Sequence, residues 1–258
     1  MEVTFVSKKD YKNWLKTDIY HDMHQASIKF TKKNNNKKRL YNLFWVKNSF
    51  NHFTRKFEYQ YIFENVKNLN LNILDAGCGI SFFPDYLIDN KNNLNLTLLD
   101  NANNVMKFYQ KNKKFIFIFD SLTDLKKLEN RYDLIYSIST IEHIPNYYKV
   151  IDEIYDKLKI NGDFLLTFDI SYSKLDPINI YNVNNFLKYI GIKFEKEYVD
   201  LETDYELLFN SHDLNKKDLP WFFPTLFYRV YYSLKNKKID YWPPKITVAM
   251  LKVKKIEV

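Results

Sequence analysis

Short runs of apolar residues, each closed by an aspartate, are the main pattern in the middle of the chain. Three such runs end at Asp75, Asp100 and Asp120, and their length predicts buried strands. Apolar residues at helical spacing follow the first two runs, over residues 82–88 and 101–111. Strands that alternate with helices predict an α/β fold with a mostly parallel sheet and helices on both faces.

The second half of the chain continues this alternation, and the full pattern predicts seven strands. The later strands are expected at 132–137, 164–169, 193–199 and 246–253, with helices over 146–158 and 184–190.

Composition divides this single predicted domain into four parts. Residues 1–70 precede the sheet and predict an N-terminal helical cap, in which 34–39 is a polar, basic loop. Residues 71–199 carry the core, 200–245 form an aromatic, proline-marked insert, and 246–258 carry the final strand. The insert suits a substrate cap or a homodimer contact, and the sequence does not separate the two.

Composition and charge narrow the class of protein only partly. Apolar residues make up 46% of the 258 residues, enough for a real core, and no apolar run is long enough to predict a membrane span. Cys78 is the single cysteine, which excludes a disulfide framework and a cysteine zinc cluster, and fits a cytoplasmic protein without a signal peptide. The net charge of +8 permits an anionic acceptor or nucleic acid but requires neither.

Two of only four glycines lie in one turn, directly after the first predicted strand. Gly77 and Gly79 flank Cys78 two residues after Asp75, and glycine lets a turn bend sharply with a ligand against its backbone. A dinucleotide fingerprint would need a third glycine or alanine where this chain has Phe82. The turn therefore predicts a ligand site at the carboxyl ends of the strands, of a different kind.

Residues 72–80 resemble the first motif of class I S-adenosyl-L-methionine (SAM) methyltransferases, hydrophobic-Leu-Asp-x-Gly-Cys-Gly. The order of motifs resembles that family from 72 to 169, although Ile160 and Asn161 replace its usual Pro and Gly before the fifth strand. The resemblance implies a Rossmann-like fold and an enzyme that transfers a methyl group from SAM to a small molecule. The expected product is S-adenosyl-L-homocysteine (SAH), and no metal is expected.

The resemblance also implies which residues shape the cofactor pocket. An acid at the end of the second strand can accept hydrogen bonds from both ribose hydroxyls, and the acid after the third strand would meet the adenine amino group. The expected positions are Asp75, Gly77 and Gly79 at the methionine end, Asp100 at the ribose, Asp120 and Ser121 at the adenine, and Ser137 and Ile138 along the middle, with Cys78 and Asn101 as further cofactor contacts.

Glu142 and His143 are the candidates for the chemistry, because they follow the fourth predicted strand, where acceptor and methyl group should meet. His143 can take a proton from a hydroxyl near neutral pH. This part resembles small-molecule O-methyltransferases, some of which hold a metal with an additional Glu where this chain has Ser139. The alternative is that the pair only caps a helix or orders the loop.

The helix predicted over 54–68 resembles the lid that many class I enzymes place over the SAM pocket. Arg55 and Tyr59 on this helix are weak candidates for acceptor contacts, and a plain amphipathic helix is the alternative.

The sequence is compatible with three functions. A small-molecule hydroxyl is favoured as the acceptor, on a sugar or a nucleotide-linked or phosphorylated precursor, such as one for a surface polysaccharide. Methylation of a nitrogen or of RNA is the first alternative, but residues 137–140 lack the Asn/Asp-Pro-Pro-aromatic loop of base N-methylation. A non-catalytic partner protein with the SAM fold is the second alternative, and the complete set of acids and glycines argues against it.

Overall fold

Seven strands form one sheet in the computed structural model of the chain. The sheet order β1-β7-β6-β5-β2-β3-β4 is parallel from β6 to β4, and β7 runs antiparallel to both of its neighbours. This arrangement confirms the predicted mostly parallel, seven-stranded α/β sheet. The strands are β1 (Glu2–Phe5), β2 (Leu71–Ala76), β3 (Leu94–Asp100), β4 (Ile116–Phe119), β5 (Tyr132–Ile138), β6 (Leu158–Ser171) and β7 (Ile246–Lys254).

The structure describes most of the chain. The described residues are 1–34, 50, 54–67, 70–126, 128–174, 176–198, 204–205, 207–214 and 245–257. The predicted basic loop at 34–39, apart from Asn34, and most of the insert at 200–245 therefore lie outside the described residues.

Helices cover both faces of the sheet because alternate residues of each strand point to opposite sides. The helices are α1 (Lys8–Trp14), α2 (Asp18–Lys33), α3 (Arg55–Asn65), α4 (Phe83–Asn90), α5 (Asn103–Tyr109), α6 (Tyr147–Lys157) and α7 (Val183–Lys193). Ile73 and Leu98 belong to the buried cluster that includes residues of α3, α4 and α5, whereas Leu74 and Leu99 belong to the cluster under α6 and α7.

The edge next to β7 differs from the prediction. Residues 193–199 were expected to form a strand, but α7 continues to Lys193 and no strand follows over 194–198. The backbone N–H of Lys196 donates to the carbonyl of Gly191 at 2.8 Å, so this segment turns back onto the helix end. The prediction of a strand there is wrong.

The seventh strand instead comes from the start of the chain. Residues 2–5 pair antiparallel with β7, from Glu2 opposite Lys252 to Phe5 opposite Ala249. The expectation that all of 1–70 precedes the sheet is therefore wrong for these four residues. Within the described segments, no helix combines the length and the apolar character that crossing a membrane requires.

Candidate active site

The glycine turn after β2 is held against the loop after β5. Gly77 has φ +83°, and an added Cβ would lie 2.3 Å from Cγ2 of Thr140. The Thr140 hydroxyl donates to the Gly77 carbonyl at 3.1 Å, and the Gly77 N–H donates to the Leu99 carbonyl at 2.9 Å. No side chain fits at position 77 without displacing Thr140, because real Cβ atoms do not approach other atoms so closely.

Gly79 is different, because the space above it is open. Its φ is +53°, and an added Cβ would have no atom within 4 Å. The Gly79 N–H donates to Oδ2 of Asp100 at 2.9 Å, and the N–H of Ala102 donates to Oδ1 at 2.8 Å. Each carboxylate oxygen has a second lone pair, so Asp100 can still accept hydrogen bonds from ribose hydroxyls. An open, side-chain-free turn beside a half-buried carboxylate fits the SAM that the resemblance implies.

Asp75 is buried and lies lower in the sheet than Asp100, since the pairing sets Asp75 opposite Leu98. The Tyr136 hydroxyl donates to Oδ2 of Asp75 at 2.9 Å. Burial raises the pKa of Asp75 to about 8, against the effect of this hydrogen bond and with a further contribution from Asp100. The neighbouring Cys78 is also buried, and burial raises the pKa of its thiol well above the usual value.

The remaining predicted cofactor residues lie along the same edge of the sheet. The Asp120 N–H donates to the Asp100 carbonyl at 3.3 Å, and the Ser121 N–H donates to Oδ1 of Asp120 at 2.9 Å. Asn101 is exposed. Ser137 is buried and its hydroxyl donates to the Ala76 carbonyl at 2.8 Å, which links β5 to β2, and Ile138 packs against the core. The structure thus groups the predicted residues at the ends of β2 to β5.

A buried polar cluster lies between α3 and the ends of β5 and β6. At its centre is Glu58, which is fully buried and forms an ion pair with Arg55 one turn earlier. Oε1 of Glu58 accepts hydrogen bonds from the hydroxyls of Ser139 at 2.5 Å and Thr167 at 2.8 Å. Ser139 has φ +40°, so a non-glycine backbone is held in the left-handed region at this point. Glu58, Ser139 and Thr167 were not predicted as site residues.

Glu142 and Asp169 complete this polar cluster. Glu142 is only 5% exposed, and the backbone N–H of Asp169 donates to its Oε1 at 3.1 Å. Burial, with the nearby Glu58, raises the pKa of Glu142 to about 8. Burial and the charges of Glu58 and Glu142 raise the pKa of Asp169 well above its usual value. Asp169 was not predicted either, although it closes the apolar run 164–168 as the three other acids close theirs.

The two other acceptor-side candidates have different surroundings. His143 lies at the surface of the short 3-10 helix Ile141–His143, and loss of hydration together with the Arg55 charge lowers its pKa below 6.5. Its imidazole is therefore neutral near pH 7. Tyr59 is a buried ring that stacks on Phe83 with centroids 4.8 Å apart. The structure thus brings Arg55 and Glu142 into one cluster with His143 nearby, and places Tyr59 in the aromatic core.

The described residues contain no group of three or more His, Cys, Asp or Glu side chains placed to hold a metal ion. Position 139 is a serine whose hydroxyl is bonded to Glu58, so it supplies no carboxylate beside Glu142 and His143.

Comparison with known proteins indicates the class of protein to which this fold and site belong. Residues 74–166 match a family model described as a methyltransferase domain. The [4+2]-cyclase SpnF is 13% identical, with 78% of this chain and 81% of that chain covered and a TM-score of 0.52, which shows a shared fold. No curated protein matches the chain.

Two further solved structures resemble the chain with lower TM-scores. Phosphoethanolamine N-methyltransferase 2 of Haemonchus contortus, solved in complex with SAM, is 15% identical, with 75% of this chain and 50% of that chain covered at TM-score 0.49. The StiE O-MT is 14% identical, with 76% and 72% covered at TM-score 0.48.

The fold and the glycine turn define a class I, Rossmann-like α/β protein whose residues 74–166 form a methyltransferase domain. The matched domain indicates a methyltransferase that uses SAM as its cofactor.

Proposed function

We propose that this enzyme methylates a small-molecule acceptor bound at the polar cluster of Arg55, Glu58, Glu142 and Asp169. One observation carries the proposal: neighbouring residues of a single loop connect the cluster to the cofactor turn. Thr140 bonds to the Gly77 carbonyl, whereas Ser139 bonds to Glu58. An acceptor held by the cluster is therefore close to the turn that receives the cofactor.

Bound SAM supplies an electrophilic methyl group on a sulfonium. The work left to the protein is to align the acceptor and to remove its proton. His143 suits proton removal because its lowered pKa keeps the imidazole neutral at physiological pH. Arg55 and Glu58 suit alignment, since their ion pair and the two hydroxyl bonds hold α3 over the ends of β5 and β6.

The proposed acceptor atom is a hydroxyl, on a sugar or a nucleotide-linked or phosphorylated precursor, such as one for a surface polysaccharide. The net charge of +8 supports an anionic portion of the acceptor, outside the acidic cluster. The single cysteine supports action in the cytoplasm. A nitrogen acceptor is the second candidate, favoured by carboxyl oxygens of Glu142 and Asp169 that have no hydrogen-bond partner within the described residues.

The test is incubation with SAM and a panel of nucleotide sugars, sugar phosphates and RNA, with SAH release as the measurement. Turnover of a sugar derivative supports the proposal. Turnover of RNA alone, with an affinity that falls steeply with salt, would instead support a nucleic-acid methyltransferase. A thermal shift with SAM and no turnover would support a non-catalytic partner protein.

Replacing His143 with alanine should lower turnover by at least about tenfold, the low end for loss of a general base. SAM binding should be unchanged, because the predicted cofactor contacts do not include His143. In the wild type, kcat/KM should fall as the pH drops through the His143 pKa, and the midpoint of that fall should lie below 6.5. His21→Ala, an exposed histidine on α2, is the matched control. Unchanged turnover in the His143 variant would exclude the proposed role.

Replacing Asp100 with alanine should weaken SAM binding by about 10- to 100-fold, the effect of losing hydrogen bonds to a charged group at about 1.5–3 kcal/mol. The Kd for SAM, measured by calorimetry on protein shown to be folded, checks this. The exposed Asp156→Ala is the control. Equal affinities for the wild type and the Asp100 variant would mean that the ribose lies elsewhere.

A further inference from the structure

Two carboxyl oxygens in the polar cluster have no hydrogen-bond partner within the described residues. They are Oε2 of Glu142 and Oδ1 of Asp169, and both atoms are buried. The Asp169 backbone N–H donates to the other oxygen of Glu142, and the charge of Glu142 also acts on the Asp169 carboxyl, so the two acids are neighbours. A buried polar atom without a partner is costly, and a buried carboxylate more so. Such a pair beside a cofactor turn indicates that a ligand group completes it.

The charges of the cluster show what kind of group is missing. Arg55 is its one cation among the described residues, and Arg55 pairs with Glu58. Glu58 has its remaining oxygen bonded to the two hydroxyls of Ser139 and Thr167, so this acid is satisfied. No described lysine or arginine forms an ion pair with Glu142 or Asp169. The pair therefore lacks a cation of its own: its raised pKa values keep these acids largely protonated near pH 7, and a positively charged group would let them ionise.

Candidate ligand groups differ in how well they match two neighbouring carboxyl groups that have no cation of their own. A phosphate or carboxylate would be repelled. A hydroxyl has one hydrogen to donate and serves one of the two oxygens. An ammonium group has three donors and a positive charge, so it can serve both oxygens and offset their charge with strong, charge-assisted hydrogen bonds.

We infer that the methyl acceptor carries a basic amino group, which Glu142 and Asp169 bind as an ammonium. This inference rests on the proposed function and names the class of its acceptor. The amine anchors the acceptor within the buried pair. His143, the residue after Glu142, then faces the proton-bearing atom that receives the methyl group.

Matched triplets of probes test the inference, each comprising an amine, its hydroxyl analogue and its N-acetyl analogue. Three suitable sets are glucosamine, glucose and N-acetylglucosamine; ethanolamine, ethylene glycol and N-acetylethanolamine; and 2-phenylethylamine with its alcohol and acetamide. The whole chain, saturated with SAH, is titrated with each probe and followed by thermal shift and calorimetry. At least one amine should bind with a Kd at least about tenfold lower than both of its analogues, as expected for a charge-assisted pair.

The variants Glu142→Gln, Asp169→Asn and the double variant localise the effect. Glutamine keeps a carbonyl oxygen that can accept the Asp169 N–H, so folding should be preserved. Each variant should weaken amine binding by at least tenfold while the Kd for SAH stays unchanged. Asp163→Asn is the matched control, because Asp163 is a partly buried acid on the same strand β6 and pairs with Lys254 at 3.6 Å. It should bind amines as the wild type does.

Three results would overturn the inference: equal binding of amines and their analogues, no binding of any amine, or amine binding that survives in the double variant. Failure of the proposed function gives a different result. Methylation of hydroxyl compounds without amine preference removes the inference and leaves the proposed function. Selective amine binding without SAH release from SAM, with any acceptor, removes the proposed function and leaves the amine site.

Discussion

Replacing Gly77 with alanine should destabilise the enzyme by about 2–5 kcal/mol and abolish SAM binding. The backbone at φ +83° costs an L-residue about 1–2 kcal/mol, and overpacking adds about 1–3 kcal/mol. The overpacking arises because the new Cβ would meet Thr140 at 2.3 Å, so the turn or the loop after β5 must move. Urea denaturation gives the free energy of unfolding, and calorimetry at low temperature gives the Kd for SAM.

Gly79→Ala is the matched comparison, because the two glycines occupy one turn. Its φ of +53° carries a similar backbone cost, but its Cβ meets no atom within 4 Å. We therefore expect a loss of about 1–2 kcal/mol together with weakened SAM binding, since the added methyl enters the open space. Equal stability losses at positions 77 and 79 would contradict the close approach of Thr140.

A double variant isolates the contact between the turn and the loop. Gly77→Ala combined with Thr140→Gly removes all three Thr140 atoms that the new Cβ would meet. The double variant should be more stable than the sum of the two single effects predicts, by about 1–3 kcal/mol. Additive effects would show that the strain at position 77 comes from its backbone alone.

The cofactor side of this enzyme could be predicted from the sequence because its signals are local. Asp75, Gly77 and Gly79 lie within five residues, and the runs closed by Asp100 and Asp120 have the length and composition of buried strands. Parallel pairing of neighbouring strands then brings their carboxyl ends to one edge without further information. The structure places these residues together, and Gly79 bonds directly to Asp100.

The edge strand was missed because nothing local identifies it. Residues 2–5 are too few to give a clear period, and their partner β7 lies more than 240 residues later, from Glu2 opposite Lys252. Residues 193–199 include Phe194, Tyr198 and Val199, residue types that are common in strands, but the hydrogen bonds of 194–196 return to α7. Contacts with other parts of the chain determine the structure of both segments, 2–5 and 193–199, and the periodicity of side chains does not report such contacts.

The residues on the acceptor side also differ in whether a local sequence pattern identifies them. Asp169 closes an apolar run as the other aspartates do, so the sequence held a signal for it. Glu58 is different, since its partners Ser139 and Thr167 are 81 and 109 residues away. In the sequence it is one more charged residue of an amphipathic helix. Its burial follows only from the packing of α3 on the ends of β5 and β6.

Replacing Glu58 with alanine should therefore destabilise the fold by about 3–5 kcal/mol, the cost of breaking a buried ion pair on one side. The change leaves the Arg55 charge without its partner, and it leaves the hydroxyls of Ser139 and Thr167 without their acceptor. Glu64→Ala is the matched control, because Glu64 lies on the same helix and is exposed. It should change the free energy of unfolding by less than about 0.5 kcal/mol.

A double variant that removes both charges distinguishes the contribution of the ion pair from that of the rest of the cluster. Arg55→Met combined with Glu58→Met should cost less than Glu58→Ala alone, because no charge remains buried and the volume is largely kept. Urea denaturation at constant pH measures all four proteins. A Glu58→Ala effect below about 1 kcal/mol would mean that Glu58 is solvated rather than enclosed. In that case α3 would not be fixed over β5 and β6. The pair of Glu142 and Asp169 would then be open to water, and its preference for an amine would be weaker.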